Sequence, residues 1–290
     1  MKKIRLIWMF SLALLTFSCS EDALDTKSIF GTESPKRNEF DTWILKNYVN
    51  PYNIDFKYRY DDKETDNEFN LAPADYNKSI ALAKLVKFLW IDSYEELLGK
   101  DFIRTYCPKA IQLIGSVAYN TQGSVVLGTA EGGLKITLYN VNTLDPDNVD
   151  LESLNYWYFK TMHHEFAHIL HQTKNYTTDF NLISTNYQSS SWVNVSDDEA
   201  LEMGFISNYA SSEPQEDFVE LISIYVTHDE AFWQSQLTKA GTEGSALILQ
   251  KFAIVKDYLL TSWGIDINLL RDIVQRRSGE IKDLDLTTLN

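Results

Sequence analysis

Residues 156–172, Y-W-Y-F-K-T-M-H-H-E-F-A-H-I-L-H-Q, restrict the fold of this 290-residue chain more than any other stretch. The run holds neither Pro nor Gly, and His164, Glu165 and His168 stand in it as H-E-x-x-H. On a helix, positions i and i+4 lie one above the other on one face, so the two imidazoles can converge on a single ion at about 2.0–2.1 Å each. Glu165, one position on, is rotated about 100° from that line and can take a proton from water without becoming a ligand. Phe166, Ile169 and Leu170 supply the apolar side that buries such a helix. The expectation is a helix over 151–172 that presents a zinc ligand pair.

Two residues compete for the third ligand position. His171 shares the face, but seven helical residues advance about 10.5 Å, and no Gly breaks the helix after His168 to fold it back. It is therefore expected beside the site. The better candidate lies in N-Y-A-S-S-E-P-Q-E-D-F-V-E-L-I-S-I-Y-V, residues 208–226. Ser212, Pro214 and Gln215 have the spacing of a helix start with an S-x-x-Q capping box. Glu216 and Glu220 then fall one turn apart on one face. Glu216 completes a His-His-Glu site, and Glu220 can accept the Nδ1–H of a ligating imidazole. Two glutamates at this spacing also suit a solvated face, yet Phe218, Val219, Leu221, Ile222 and Tyr225 leave little of the helix for water. Buried carboxylates need a partner, and a cation supplies one. Glu202 and His228 are reserve ligands, while S-D-D-E at 196–199 is explained by a capping box alone.

Either side of these segments the pattern changes character. Phe40, Trp43, Ile44 and Tyr48 recur at helical spacing, and Ile54 to Tyr60 alternate as a strand does. Helical patterns follow from Pro73 to Trp90 and from Tyr94 to Tyr106. Strands are expected at 111–118 and 125–127, and at 132–140 with one apolar and one polar face. Beyond 151 everything reads helical: 151–172, 197–206, 213–228, 244–261 and 266–277, with Ala246–Leu260 apolar nearly all round and expected in the core. The fold class is α+β, with a small mixed or antiparallel sheet and helices in the N-terminal half and an all-helical C-terminal half.

The first 19 residues have the form of a leader, with basic Lys2, Lys3 and Arg5, an apolar run from Leu6 to Phe17, and Ser18 before Cys19. Twelve such residues are too few to span a bilayer. The placement of Cys19 resembles a bacterial lipoprotein signal, which implies a lipidated Cys19, a membrane anchor through it, and an extracytoplasmic location at the outer membrane. Residues 20–37 suit a flexible tether, and 38–290 the folded domain, divided into 38–172 and 173–290. With Cys19 lipidated, Cys107 has no disulfide partner and is expected as a buried packing residue. The net charge of −15 becomes −18 without the three basic leader residues. Such a surface repels phosphate backbones, so no nucleic-acid partner is expected.

H-E-F-A-H followed some fifty residues later by Y-A-S-S-E-P-Q-E-D-F-V-E resembles the zinc-binding metallopeptidases of Bacteroidota lipoproteins, and more distantly the anthrax lethal factor type of gluzincin. The resemblance covers about residues 130–230. It implies a zincin-like fold, a Zn2+ cofactor and a peptide or protein substrate, with an edge strand such as 133–139 pairing with the extended substrate. It implies that Tyr209, seven residues before Glu216, stabilises the transition state, and that Glu220 supports a ligand histidine. Asp217 replaces the aromatic residue of the lethal factor pattern. Two other readings stay open: an inactive peptidase fold used as a surface binding lipoprotein, and a zinc hydrolase of non-peptide substrates.

Overall fold

A computed structural model describes residues 36–289 except 64, 66–67, 120–124, 127 and 132–133, and the side chains of 128–131 are not described. The leader, Cys19 and nearly all of the tether expected over 20–37 lie outside the described residues. Among the described residues no helix is long and apolar enough to cross a membrane.

The chain opens with helix α1 (39–52), which contains a π turn at Leu45–Val49. Its Phe40, Trp43, Ile44 and Tyr48 are buried together, as their spacing predicts. Asn53 ends it in a left-handed conformation, which a short polar side chain tolerates. Strand β1 (Asp55–Lys57) follows.

The next two helices differ in their division from the expected one. Helix α2 (76–98) runs unbroken through a π turn at Val86–Ile91, and α3 is Lys100–Tyr106. The break falls at Gly99, at φ +84°, and not between Trp90 and Tyr94. Only a residue without Cβ adopts that turn freely, so the glycine decides the boundary against the apolar periodicity.

Strands β2 (Ala110–Leu113), β3 (Ala118–Tyr119), β4 (Val125–Val126), β5 (Gly128–Glu131) and β6 (Lys135–Leu138) come next. One sheet has the order β1-β2-β6-β5, and β3 pairs with β4 separately. β2 pairs in parallel with both β1 and β6, and β5 runs antiparallel to β6, from Gly128 opposite Leu138 to Glu131 opposite Lys135. Two expectations are corrected here. The strand expected at 132–140 is interior, because β5 covers its flank and takes the edge. It also lacks a wet face: Gln112 and Thr137, which face each other across β2 and β6, are buried at 1% and 4% exposure.

The second half is helical: α4 (151–173), α5 (Asp197–Glu202), α6 (Pro214–Thr227), α7 (Glu230–Lys239), α8 (Gly241–Trp263) and α9 (Ile267–Glu280). α7 is an addition to the expected set, capped by Asp229 and carrying one buried residue, Trp233. α5 ends short of 206, where Gly204 turns at φ +86°. α8 is not apolar all round: Ile248, Phe252, Val255 and Leu259 are buried while Leu249 and Leu260 are about half exposed. α6 is the central helix, buried from Asp217 to Thr227 and packed against α4, α8 and α9. The chain is thus an α+β fold whose one large core spans both halves. Cys107 lies in that core, and burial pushes its thiol up to about 11.

Candidate metal centre

The site stands where α4 and α6 pack together. α4 contains a π turn at Asn155–Phe159 directly ahead of the histidine segment Lys160–Thr173. Its extra residue sets the rotation with which the next turns leave it. Tyr158 in that turn is buried and donates to the Asn140 carbonyl at 3.0 Å, while Asn155 donates to the Thr227 carbonyl at the far end of α6 at 2.9 Å. Phe166 and Leu170 bury the other side of α4.

α6 begins at Pro214, whose fixed φ suits the first helical position. The expected capping box of Ser212 and Gln215 is absent. Glu213 takes the N-cap position in extended conformation without a side-chain cap, so Ser212 falls one residue too early. By contrast, Ser196 and Glu199 form the expected box at α5.

From these helices three side chains meet. His164 Nε2 lies 3.2 Å from His168 Nε2 and 3.0 Å from Glu216 Oε2, and His168 Nε2 is 3.4 Å from Glu216. His164, His168 and Glu216 offer one ligand atom each within 4.8 Å of one another. Ligands at about 2.0–2.1 Å around a tetrahedral ion stand about 3.3 Å apart, so this spacing fits zinc. The donor set fits as well, being two imidazole nitrogens and one carboxylate oxygen.

The remaining ring nitrogens are held from behind. His164 Nδ1 is 2.9 Å from Glu220 Oε1, and Glu220 Oε2 accepts from Ser207 Oγ at 2.6 Å and Lys160 Nζ at 2.8 Å. His168 Nδ1 is 2.9 Å from His171 Nε2. Glu220 is buried at 1% exposure; burial alone would raise its carboxyl, but Lys160 and His164 hold it down at about 2. Burial would likewise lower His164, yet its bonds to Glu216 and Glu220 raise it to about 9. Burial would raise Glu216, but the bonds from both histidines outweigh it and hold the carboxyl well below the usual range. His171 is pulled down to about 4, first by burial and then by His168. The Glu165 carboxyl is raised by burial against the opposing effect of His164 and His168. The Tyr209 ring stands 5.9 Å from the His164 ring, and Trp192 packs on it edge-to-face at 5.0 Å. Burial and the nearby Glu216 and Glu220 push its phenol far up.

Not every candidate is gathered in. His228 bonds the Ile224 carbonyl and stacks on Phe232, and Glu202 lines a separate open cavity with Gln188, Asn194 and Glu199. His163 is fully buried, bonded to Tyr94 Oη at 2.9 Å and driven down to about 3 by burial, so it is a neutral packing residue. Sequence reasoning missed Lys160 and Ser207. Lys160 was within reach of it, since it lies one turn before His164 on the same stripe, whereas Ser207 carries no signal.

The family model described as "Putative zinc-binding metallo-peptidase" matches residues 33–268. Among solved structures, a protein of the same description from Bacteroides caccae ATCC 43185 is similar at 45% identity and TM-score 0.76, over 91% of this chain and all of the other. No curated protein matches the chain. The model spans most of the sequence and the likeness extends over both halves of the fold, so the chain belongs to this zinc-binding metallopeptidase family.

Proposed function

We propose that the chain hydrolyses peptide bonds with zinc held by His164, His168 and Glu216. The observation that carries the reading is the convergence of those three donor atoms, from two helices, beside a raised carboxyl at Glu165. A zinc ion held there supplies Lewis acidity, which acidifies water and polarises a carbonyl.

The chain's own groups supply the proton traffic. Glu165 takes the proton of the attacking water onto its carboxylate and returns it to the leaving amine nitrogen. Its raised affinity for protons suits both halves of that task. Tyr209, which keeps its proton because burial raises its phenol, donates to the oxyanion as the carbonyl becomes tetrahedral. This role rests on the spacing of Tyr209, Glu216 and Glu220, shared with the lethal factor type of gluzincin.

Glu220 accepts from His164 Nδ1 and so keeps the lone pair on Nε2. His171 does the same for His168, because its lowered proton affinity leaves Nε2 free to accept. The edge strand β5 runs alongside α4, and among the described residues no strand pairs with its outer edge. An extended peptide added there would lie beside the site, with main-chain hydrogen bonds holding it. The substrate is accordingly a peptide or protein. The leader and Cys19 support an extracytoplasmic chain anchored by lipid at the outer membrane.

Glu165→Gln tests the reading. The variant should retain zinc at wild-type stoichiometry and lose turnover in a proteome-wide cleavage assay. Wild-type turnover in this variant removes Glu165 as the base, and a zinc-loaded wild-type chain that cuts no peptide bond favours a binding lipoprotein or a hydrolase of other substrates.

A further inference from the structure

Asp217 follows Glu216 and points elsewhere. Neighbours on a helix differ by about 100° in direction, so Glu216 reaches the imidazoles while Asp217 enters the contact between α6 and α8. There it is fully buried, and so is Lys251 of α8, whose Nζ donates to Asp217 Oδ2 at 2.6 Å. The Tyr187 hydroxyl donates to the same oxygen at 2.8 Å. The Lys251 ammonium also lies 4.4 Å from the Phe205 ring centre, and that ring packs on Tyr187 at 4.9 Å.

The stretch that follows Tyr187 is tied to the catalytic side. Gln188 N–H donates to the Ser211 carbonyl at 2.7 Å and Ser189 N–H to the Ser212 carbonyl at 3.0 Å. A few residues on, Trp192 packs against Tyr209. One buried carboxylate thus joins the first turn of α6, the turn at Tyr209–Ser211 and the body of α8.

Stability alone is a poor reason for such a pair, because apolar residues of similar volume commonly do as well in an interior. Lys251 and Tyr187 both bond Asp217 Oδ2, while Oδ1 is left without a hydrogen-bond partner among the described residues. What two bonds converging on one buried oxygen do provide is a fixed orientation of that carboxylate. The need is local: α6 starts without a side-chain cap, and its first turn is held by Pro214, the Tyr176 hydroxyl on the Pro214 carbonyl and the stack of Tyr176 on Phe218, none of which touches Glu216. A metal site tolerates only about half an ångström of misplacement.

We propose that Lys251, Asp217 and Tyr187 form a positioning triad that sets the rotation of the first turn of α6, and with it the place of Glu216 and Tyr209. This rests on the metal-centre reading above. The triad touches neither the metal nor the substrate, and acts through the helix and the 187–192 segment.

The test measures zinc affinity by chelator competition, with zinc alone as the probe, together with the visible spectrum of the cobalt(II)-loaded full chain and its Tm. In the charge-free variant Tyr187→Phe/Asp217→Leu/Lys251→Met, we expect a Tm near wild type, zinc affinity lowered about 10-fold or more, and an altered cobalt spectrum. A folded variant with wild-type affinity and spectrum overturns the proposal. Should the triple variant not fold, Tyr187→Phe decides: lowered affinity at unchanged Tm upholds the triad, and unchanged affinity refutes it. Wild type and Glu216→Ala separate this inference from the underlying reading. If wild type binds no zinc, the metal centre itself fails; if it binds and Glu216→Ala does not, while the triple variant matches wild type, only the triad fails.

Discussion

At the scale of single residues, burial sets the proton chemistry of this fold. Tyr209 illustrates it: a phenol held far above its ordinary value remains a donor throughout the working pH range. Tyr209→Phe should leave zinc affinity within twofold of wild type and reduce kcat by about 10²–10³, read from steady-state cleavage of any peptide the wild type cuts. An unchanged kcat would assign Tyr209 to packing beneath Trp192. Cys107 offers a check of the same physics away from the site. Alkylation needs the thiolate, and with the thiol pushed up to about 11 that form falls about tenfold for each pH unit below. Iodoacetamide at pH 8 should leave Cys107 unmodified in the native chain and modify it in denaturant, as peptide mass mapping would show; prompt native labelling contradicts its place in the core. The sequence showed which residues could do chemistry by type and spacing, but Lys160, Ser207 and Lys251 acquire partners only because distant segments meet them.

Elements were legible wherever local chemistry decides. The ends of α6 and α9 fall within three residues of their expected places because Pro214 and Asp266 mark the starts and apolar periodicity runs through both. Periodicity failed where one glycine or one partner strand outweighed it. Gly99 moved the boundary between α2 and α3, and β5, with the unremarkable sequence G-T-A-E, took the sheet edge from β6. Gly244 in α8 shows a close approach that spacing does not reveal. A Cβ there would stand 2.2 Å from the Leu201 carbonyl oxygen and 2.9 Å from that of Glu202, both backbone atoms of α5. Alanine is the better helix former by up to about 1 kcal/mol, but forced displacement of a packed element costs about 1–3 kcal/mol, so the clash wins. Gly244→Ala should lower stability in urea unfolding, and a stabilised variant would mean that α5 and α8 lie farther apart than described.

The candidate metal centre joins two helices of the second half, α4, which follows the sheet, and α6, which packs against α4, α8 and α9. An ion that binds only the folded chain stabilises it by mass action, by about 2.7 kcal/mol when free zinc is 100 times its dissociation constant. For a chain of this size each kcal/mol is worth roughly 2–4 °C. Stripping zinc with a chelator should therefore lower Tm by roughly 5–10 °C, with recovery on adding zinc back, and calorimetry showing no shift would argue against a site shared by the two helices. By itself the sequence determined the α+β order, the helices that carry His164, His168 and Glu216, and the burial of Cys107, because each follows from residue type and spacing within one segment. Tertiary structure alone decided the interior place of β6, the orientation of Asp217 toward Lys251, and the meeting of Glu216 with the two imidazoles at 3.0–3.4 Å. Those depend on how segments far apart in the chain pack and rotate against one another, and such rotations leave no periodic trace in either segment.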